Sequence, residues 1–395
     1  MNHSPPGRRL IALCSSALFC LAIALPLSAQ LLHFAPREKL GEATSTPFPE
    51  AALNPAGIQA VCRALTGGWL DKNFPFRGML IRWHNFTSTS LFGSLSGNAP
   101  VVVGKEGWLY LAKDRGIDLE ADHRSVAPLT AEDLDRLHAV YAERRAWLAE
   151  RGIAYLVVIA PNKSSVYPEH LPASWDQAGR TSHLEQAVER FRRDGSVDLL
   201  DLREPLMQAK VGREVFYRTD SHWNAYGAFP SYQAIIERLA PRFPVLKPMR
   251  EEDFIVQEYA HLGGDLSFMV GLEDLVLDNK VLFFARKPLK ARGITPGAVR
   301  PGYVQPAQGS VREDASLPRA IFFHDSYFWE LVPFLGEHFS RAVYVWVRPG
   351  LRGAKSLFDK ELIEKERPDV VVEEIAERFF LQGTMPPREI KEGAE

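Results

Sequence analysis

Short apolar runs recur along the chain, each separated from the next by segments of helical spacing. They are "IAYLVVIA" (153–160), "VDLLDL" (197–202), "AIFFH" (320–324), "AVYVWV" (342–347) and "DVVVEEI" (369–375). The first, a continuous apolar run, reads as a strand buried on both faces, and the others as further strands. Ahead of the first, Thr130 can N-cap a helix with Asp133 three positions on. Leu134, Leu137, Tyr141 and Leu148 then fall on one face, and Gly152 lies just past the end. Further helices are predicted around 182–193 and over roughly 225–240, where Pro230 either kinks the helix or lies in its first turns. Strands alternating with helices predict right-handed crossovers and a mostly parallel α/β sheet covered by helices on both faces. "VVVGKEGWLYL", from Val101, predicts a hairpin, and a Gly-, Pro- and charge-rich insertion fills about 245–315.

The N-terminus breaks this texture. Arg8 and Arg9 precede an uncharged run from Leu10 to Ala29. A positive flank followed by ~20 apolar residues is the pattern of a signal peptide or signal anchor. Leu27 would stand three positions before a cut after Ala29, where a small residue is preferred, so residues 1–30 read as an uncleaved anchor. Positive charge keeps its start in the cytoplasm. The remainder is then expected to be periplasmic, tethered to the inner membrane through residues 10–29. Residues 31–100, rich in Pro, Gly, Asn and aromatics, read as an irregular N-terminal cap in which a helical period survives only around "IQAVCRAL". Residues 101–385 are expected to form the main α/β domain, and 386–395 a polar tail. With 46% hydrophobic and 24% charged residues, a large core can form. A net charge of −2 without a basic stripe argues against nucleic acid as a partner. Cys14 and Cys20 lie in the apolar run, which leaves Cys62 alone and unable to form an intramolecular disulfide or a Cys-based zinc site.

Ligands of such sheets bind beyond the carboxyl ends of the strands. "PNKSSVYPEHLP" follows the first strand and "DSYFWELVPFL" follows "AIFFH". Ser326, on the turn from a buried strand into a helix, can present a nucleophilic hydroxyl and an N–H for an oxyanion, or simply cap the helix beside Asp325. "YRTDSHWNAYGA" (217–228) carries Asp220 and His222 two positions apart, on one side of an extended segment. A serine needs such an imidazole to take its proton and such a carboxylate to orient the imidazole. The same pair could instead cap a helix, or bind a divalent ion with His170 or His324. No H-E-x-x-H or Cys/His array supports a metal, and none is expected.

Taken in order, "GKEGWLYL", "PNKSSVYPEHLP", "YRTDSHWNAYGA", "FFHDSYFWELVPFL" and "RPDVVVEEIAER" resemble the alginate O-acetyltransferase family of SGNH-hydrolase-like proteins, the AlgJ/AlgX group, over roughly 60–380. The resemblance implies a Ser–His–Asp enzyme in circularly permuted order. Ser326 would carry the acetyl group, with His222 as general base and acid and Asp220 as its orienter. It also implies an exported polysaccharide acceptor, acetyl groups supplied by a membrane-bound O-acyltransferase, and no cofactor. His324 stands where the family pattern has Gly, so it would narrow the oxyanion region or point away. A carbohydrate acetyl esterase with the same triad and a non-catalytic polysaccharide-binding scaffold are the alternative readings.

Other residues carry less specific signals. Lys163 could bind an anionic sugar, stabilise charge, or lie in a solvated loop. Tyr217 and Asn224 could position the acceptor, Asn224 equally well as a helix cap. Arg218 could meet a uronate or pair with Asp220. "GWLY" (107–110) reads as core, and Glu373, Glu374 and Glu377 as helix surface, one of them paired with Arg378.

Overall fold

The computed structural model describes residues 13–21, 28, 54–66, 76–95, 97, 99–125, 127–175, 180–296, 304–347 and 358–381. These fall into two compact units: residues before Gly97 together with Phe268–Leu272, and Gly97–Ser267 together with Glu273 onward.

In the first unit, the region expected to be irregular contains two helices, Pro55–Thr66 and Arg77–Phe92. The second was not legible because "RGMLIRWHNFTSTSLF" has no apolar face; its one buried residue is Asn85, whose Nδ2 donates to the Val270 carbonyl at 2.9 Å. Of the apolar run 10–29, residues 13–21 are helical and exposed, and residues 386–395 lie outside the described residues. Among the described residues, no helix is long and apolar enough to cross a membrane.

The second unit is built on a seven-stranded sheet. Its strands are β5 (Ala154–Ala160), β6 (Leu199–Asp201), β9 (Arg292–Ile294), β10 (Gln308–Val311), β11 (Arg319–His324), β12 (Arg341–Trp346) and β13 (Val370–Ala376), in the order β6-β5-β13-β11-β12-β10-β9. Five are parallel; β10 and β9 add to one edge antiparallel. Every β13 residue, and every β5 residue after Ala154, is buried, so both faces of these central strands are covered.

Local sequence explains the flanking elements. Thr130 and Asp133 form a reciprocal capping box for the helix Ala131–Ala149, as Ser182 and Glu185 do for His183–Asp194. The helix Ala225–Leu239 continues across Pro230, its sixth residue. The expected hairpin is β1 (Val101–Val103) with β2 (Leu109–Leu111), and a smaller pair, β3 (Lys113–Asp114) with β4 (Ile117–Asp118), follows it. The 245–315 insertion is more ordered than its composition suggests. β7 (Phe254–Leu262) and β8 (Leu277–Ala285) pair antiparallel over nine residues. Most of β7 is exposed, so packing imposes no alternating pattern on its sequence.

β5, β13 and β11 end at the same edge of the sheet. There the segments after Ala160, His324 and Ala376 come together with the loop 217–222.

Candidate active site

The loop begins and ends at a lone antiparallel bridge between Phe216 and Trp223, with the Tyr217 N–H donating to the His222 carbonyl at 3.3 Å. Its interior is filled by a single cation. Lys163, 4% exposed, donates from Nζ to the carbonyls of Tyr217 (3.1 Å), Arg218 (3.0 Å) and Asp220 (2.7 Å). Burial pushes its ammonium down to about 7, against the opposing charges of Asp220, Asp265 and Asp278.

Asp220 faces inward from this loop. Its Oδ1 accepts from the His222 backbone N–H at 2.9 Å and from His222 Nδ1 at 2.7 Å, and its Oδ2 accepts from the Asp265 N–H at 3.0 Å. The second imidazole nitrogen, Nε2, lies 2.8 Å from Ser326 Oγ. With Nδ1–H directed at the carboxylate, Nε2 presents its lone pair to the serine hydroxyl. Burial would raise the Asp220 carboxyl, but the hydrogen bonds and charge of His222 and the Asp265 N–H hold it well below the ordinary range. Burial likewise opposes a charged imidazole at His222. The Asp220 hydrogen bond and charge, with a contribution from Asp265, outweigh it and raise His222 above its ordinary value.

Ser326 opens a 3-10 turn, Ser326–Glu330, immediately after β11. The cap is Asp325: Oδ1 accepts from the Tyr327 N–H at 3.0 Å and Oδ2 from the Ala376 N–H at 2.7 Å. Ser326 is thereby relieved of capping. Its own N–H is one of those for which a helix start offers no intrahelical acceptor. Tyr327 anchors the turn against the loop, donating from its hydroxyl to the Ser221 carbonyl at 2.7 Å and accepting at its carbonyl from Trp223 Nε1 at 3.0 Å. A small cleft alongside is lined by Asn162, Ser164, Ser221, Tyr327 and Arg378, among others.

The structure therefore brings Ser326, His222 and Asp220 into one hydrogen-bonded chain, but gives the remaining candidates structural positions. Lys163 spends its N–H groups on carbonyls and is not a solvated anion ligand. Asn224 is the N-cap of Ala225–Leu239, accepting from the N–H groups of Tyr226 and Gly227 and donating to the Glu214 carbonyl at 2.8 Å. Tyr217 is buried under the Lys280 ammonium, 5.2 Å from its ring. Arg218 pairs with Glu214 at the surface rather than with Asp220. Trp108 and Tyr110 are core, as "GWLY" suggested.

The reading of Glu373, Glu374 and Glu377 as helix surface is overturned. The first two lie in β13 and all three are buried. Each has a specific partner: Tyr155 and Arg144 for Glu373, the Asp325 N–H for Glu374, and the Asn162 N–H with Ser165 for Glu377. Arg378 is buried too, donating to Asp114 at 3.0 Å. His324 is fully buried, stacked on Phe328 and edge-to-face with Trp329, with Nδ1 donating to the Asp325 carbonyl at 2.7 Å; burial lowers it to about 3, so the ring is neutral.

Asp265 was not anticipated. It lies in the insertion, and the only hint was "GGD" (263–265) before an apolar stretch. Its Oδ2 is 3.6 Å from His222 Nδ1. Asp220, His222 and Asp265 offer ligand atoms within 4.8 Å of one another, the one such group of three or more among the described residues. His170 and His324, considered earlier as third ligands, are not part of it.

A family model described as "SGNH hydrolase-like domain, acetyltransferase AlgX" matches residues 101–377. The chain belongs to this family. The match contains Asp220, His222 and Ser326. A Pseudomonas aeruginosa relative, named a probable alginate O-acetylase AlgJ, is 26% identical over 323 residues, covering 78% of this chain and 77% of its own. A relative of the same name from Pseudomonas syringae pv. tomato is 30% identical over 207 residues, 52% of this chain and 49% of its own. Among solved structures, Bacillus cereus PatB1 is similar with a TM-score of 0.53 at 14% identity, covering 72% of this chain and 97% of that one, a likeness of fold.

Proposed function

We infer that this member of the AlgX family is a polysaccharide O-acetyltransferase working through an acetyl-Ser326 intermediate. The observation that carries the reading is the unbroken chain Ser326 Oγ–His222–Asp220, with distances of 2.8 and 2.7 Å. His222 Nε2 takes the Ser326 proton as Oγ attacks the acetyl carbonyl of the donor. The imidazolium then gives that proton to the departing donor oxygen, leaving acetyl-Ser326. In the second half His222 takes a proton from a sugar hydroxyl, whose oxygen attacks the acetyl carbon. The sugar ester forms, and the proton returns to Ser326. Asp220 keeps Nδ1–H in place and stabilises the imidazolium in both halves. The Ser326 N–H is suited to the oxyanion.

For the acceptor side, Trp329 and Trp346 support a sugar-binding role. Both are half-buried at the carboxyl ends of the strands and meet edge-to-face at 5.6 Å. In a 3-10 turn side chains three apart eclipse, so Trp329 lies on the Ser326 side of its turn. The acceptor is an exported polysaccharide, alginate or another exopolysaccharide, a reading that draws on the names of the AlgJ relatives. Arg8 and Arg9 before the apolar run 10–29 support a periplasmic enzyme held at the inner membrane, with a membrane-bound O-acyltransferase delivering the acetyl groups.

The test is incubation with p-nitrophenyl acetate and a panel of oligosaccharides, with products followed by mass spectrometry. Wild type should acetylate at least one oligosaccharide, and Ser326→Ala should lose transfer by several orders of magnitude while staying folded. A folded Ser326→Ala protein with wild-type transfer would exclude the covalent route. Acetate release without sugar acetylation would make the protein an esterase.

A further inference from the structure

The imidazole of His222 faces two carboxylates, and the reaction above uses only one. Asp220 Oδ1 is already taken by the His222 N–H and Nδ1, and its Oδ2 by the Asp265 N–H. The Asp265 side chain closes a second circuit around the same ring. Its Oδ1 accepts from the Ser221 N–H at 2.6 Å and its Oδ2 from Ser221 Oγ at 2.5 Å; that hydroxyl lies 3.3 Å from His222 Nδ1. Oδ2 itself is 3.6 Å from Nδ1. Asp265 thus contacts the inner side of the imidazole, while Nε2 on the other side stays with Ser326.

We propose that Asp265 is a positioning residue for the acetyl-transfer reaction, a second carboxylate that fixes Asp220 through its backbone and stabilises imidazolium through its side chain. The proposal rests on the triad reading and adds a residue to it. Charges converge on His222 from several elements. Asp220 shares its loop, Asp265 comes from the segment after β7, Asp325 from the turn after β11 and Arg378 from the segment after β13. Lys163, after β5, lies among the carboxylates and acts on Asp220 and Asp265. Arg378 disfavours imidazolium; Asp220 and Asp265 favour it. Burial and the neighbouring Asp220 charge push the Asp265 carboxyl up, a cost offset in part by the Ser221 hydrogen bonds and by the charge that His222 gains.

The sign of the effect is specific. The reaction needs neutral His222, so kcat/KM rises with pH through the imidazole pKa of the free enzyme. Removing a carboxylate beside the ring lowers that pKa and moves the acid limb to lower pH. It also lowers the plateau, because the imidazolium formed in the transition state loses a counter-charge. A residue that only supports the fold would lower the plateau and leave the limb in place.

The experiment measures kcat/KM of the full chain for p-nitrophenyl acetate from pH 5 to 9, comparing wild type, Asp265→Asn, Asp220→Asn and the double variant. Ser326→Ala is included to test the covalent route separately. Asp265→Asn keeps the backbone donor to Asp220. It should move the acid limb down by ~1 pH unit and lower the plateau ~10–100-fold. Asp220→Asn should retain activity that the double variant loses, and this comparison stands even if Asp265→Asn alone folds poorly. An acid limb unmoved in folded Asp265→Asn, or a double variant no worse than Asp220→Asn, overturns the proposal. Full activity in Ser326→Ala would instead overturn the triad reading beneath it.

Discussion

Gly264→Ala should damage the active site although residue 264 has no side chain to contribute. A Cβ built on Gly264 would lie 2.3 Å from Asp220 Cβ, 2.5 Å from Asp220 Oδ2 and 2.8 Å from Asp220 Cγ. Carbon atoms in comfortable contact stand ~3.5–4.0 Å apart, so one side must retreat by more than ~1 Å. Backbone strain is not the issue, since Gly264 is absent from the positive-φ glycines. Asp220 has little room to give way. Three N–H groups hold its carboxylate, and Lys163 holds its carbonyl at 2.7 Å. If the glycine segment moves instead, it strains the Gly264 N–H bond to Thr219 Oγ1 at 2.9 Å and the Asp265 N–H bond to Asp220. Overpacking of this kind costs ~1–3 kcal/mol of stability. Misplacing a catalytic group by ~1 Å costs ~100-fold in rate. Urea denaturation measures the first and kcat/KM for p-nitrophenyl acetate the second. Gly212→Ala, where an added Cβ meets nothing within 4 Å, is the control and should change neither appreciably. Wild-type stability and activity in Gly264→Ala would refute the claim that this close approach holds Asp220 in place.

Two further substitutions test the surroundings. Lys163→Met should lose ~2–4 kcal/mol in urea denaturation, because up to three carbonyls lose their donor at ~1–3 kcal/mol each while the removal of a buried charge offsets part of the loss; unchanged stability would mean that the loop 217–222 does not depend on this cation. Trp329→Ala should raise KM for an oligosaccharide acceptor about tenfold more than KM for p-nitrophenyl acetate, a difference of ~1.4 kcal/mol. Equal changes for both would remove Trp329 from the acceptor site.

Features that depend on neighbours along the chain were legible in the sequence. The central strands β5, β11 and β12 are near-continuous apolar runs because both faces of a central parallel strand are buried. The helix starts at Thr130 and Ser182 are equally local, since a capping box closes within four residues. Asp220 and His222, two positions apart, could be paired for the same reason. That Ser326 would meet them was implied by the family resemblance; strand polarity, which delivers the segment after β11 to that edge, only allowed it.

Features that depend on distant neighbours were not legible. A glutamate in sequence is surface by default, and only the partners that β5, β11 and the Asn162 segment bring to Glu373, Glu374 and Glu377 make their burial tolerable. Lys163 and Asn224 have the chemistry of ligands, and only the fold shows that their hydrogen-bonding groups are already spent on the loop and the helix they support. Asp265 is the clearest case. It lies 43 residues beyond His222 in an insertion without an apolar period, and nothing local marks it. Its carboxylate reaches the imidazole because Gly264 lets this segment approach the Asp220 side chain more closely than any residue with a Cβ would allow. Five of the seven sheet strands, the helix caps and the nearness of Asp220 to His222 follow from local spacing, whereas β9 and β10 lie in the insertion and the grouping with Ser326 came from the family resemblance. Which buried charges are paired, and which second carboxylate faces the histidine, is visible only in three dimensions, because those contacts join segments whose separation along the chain carries no period.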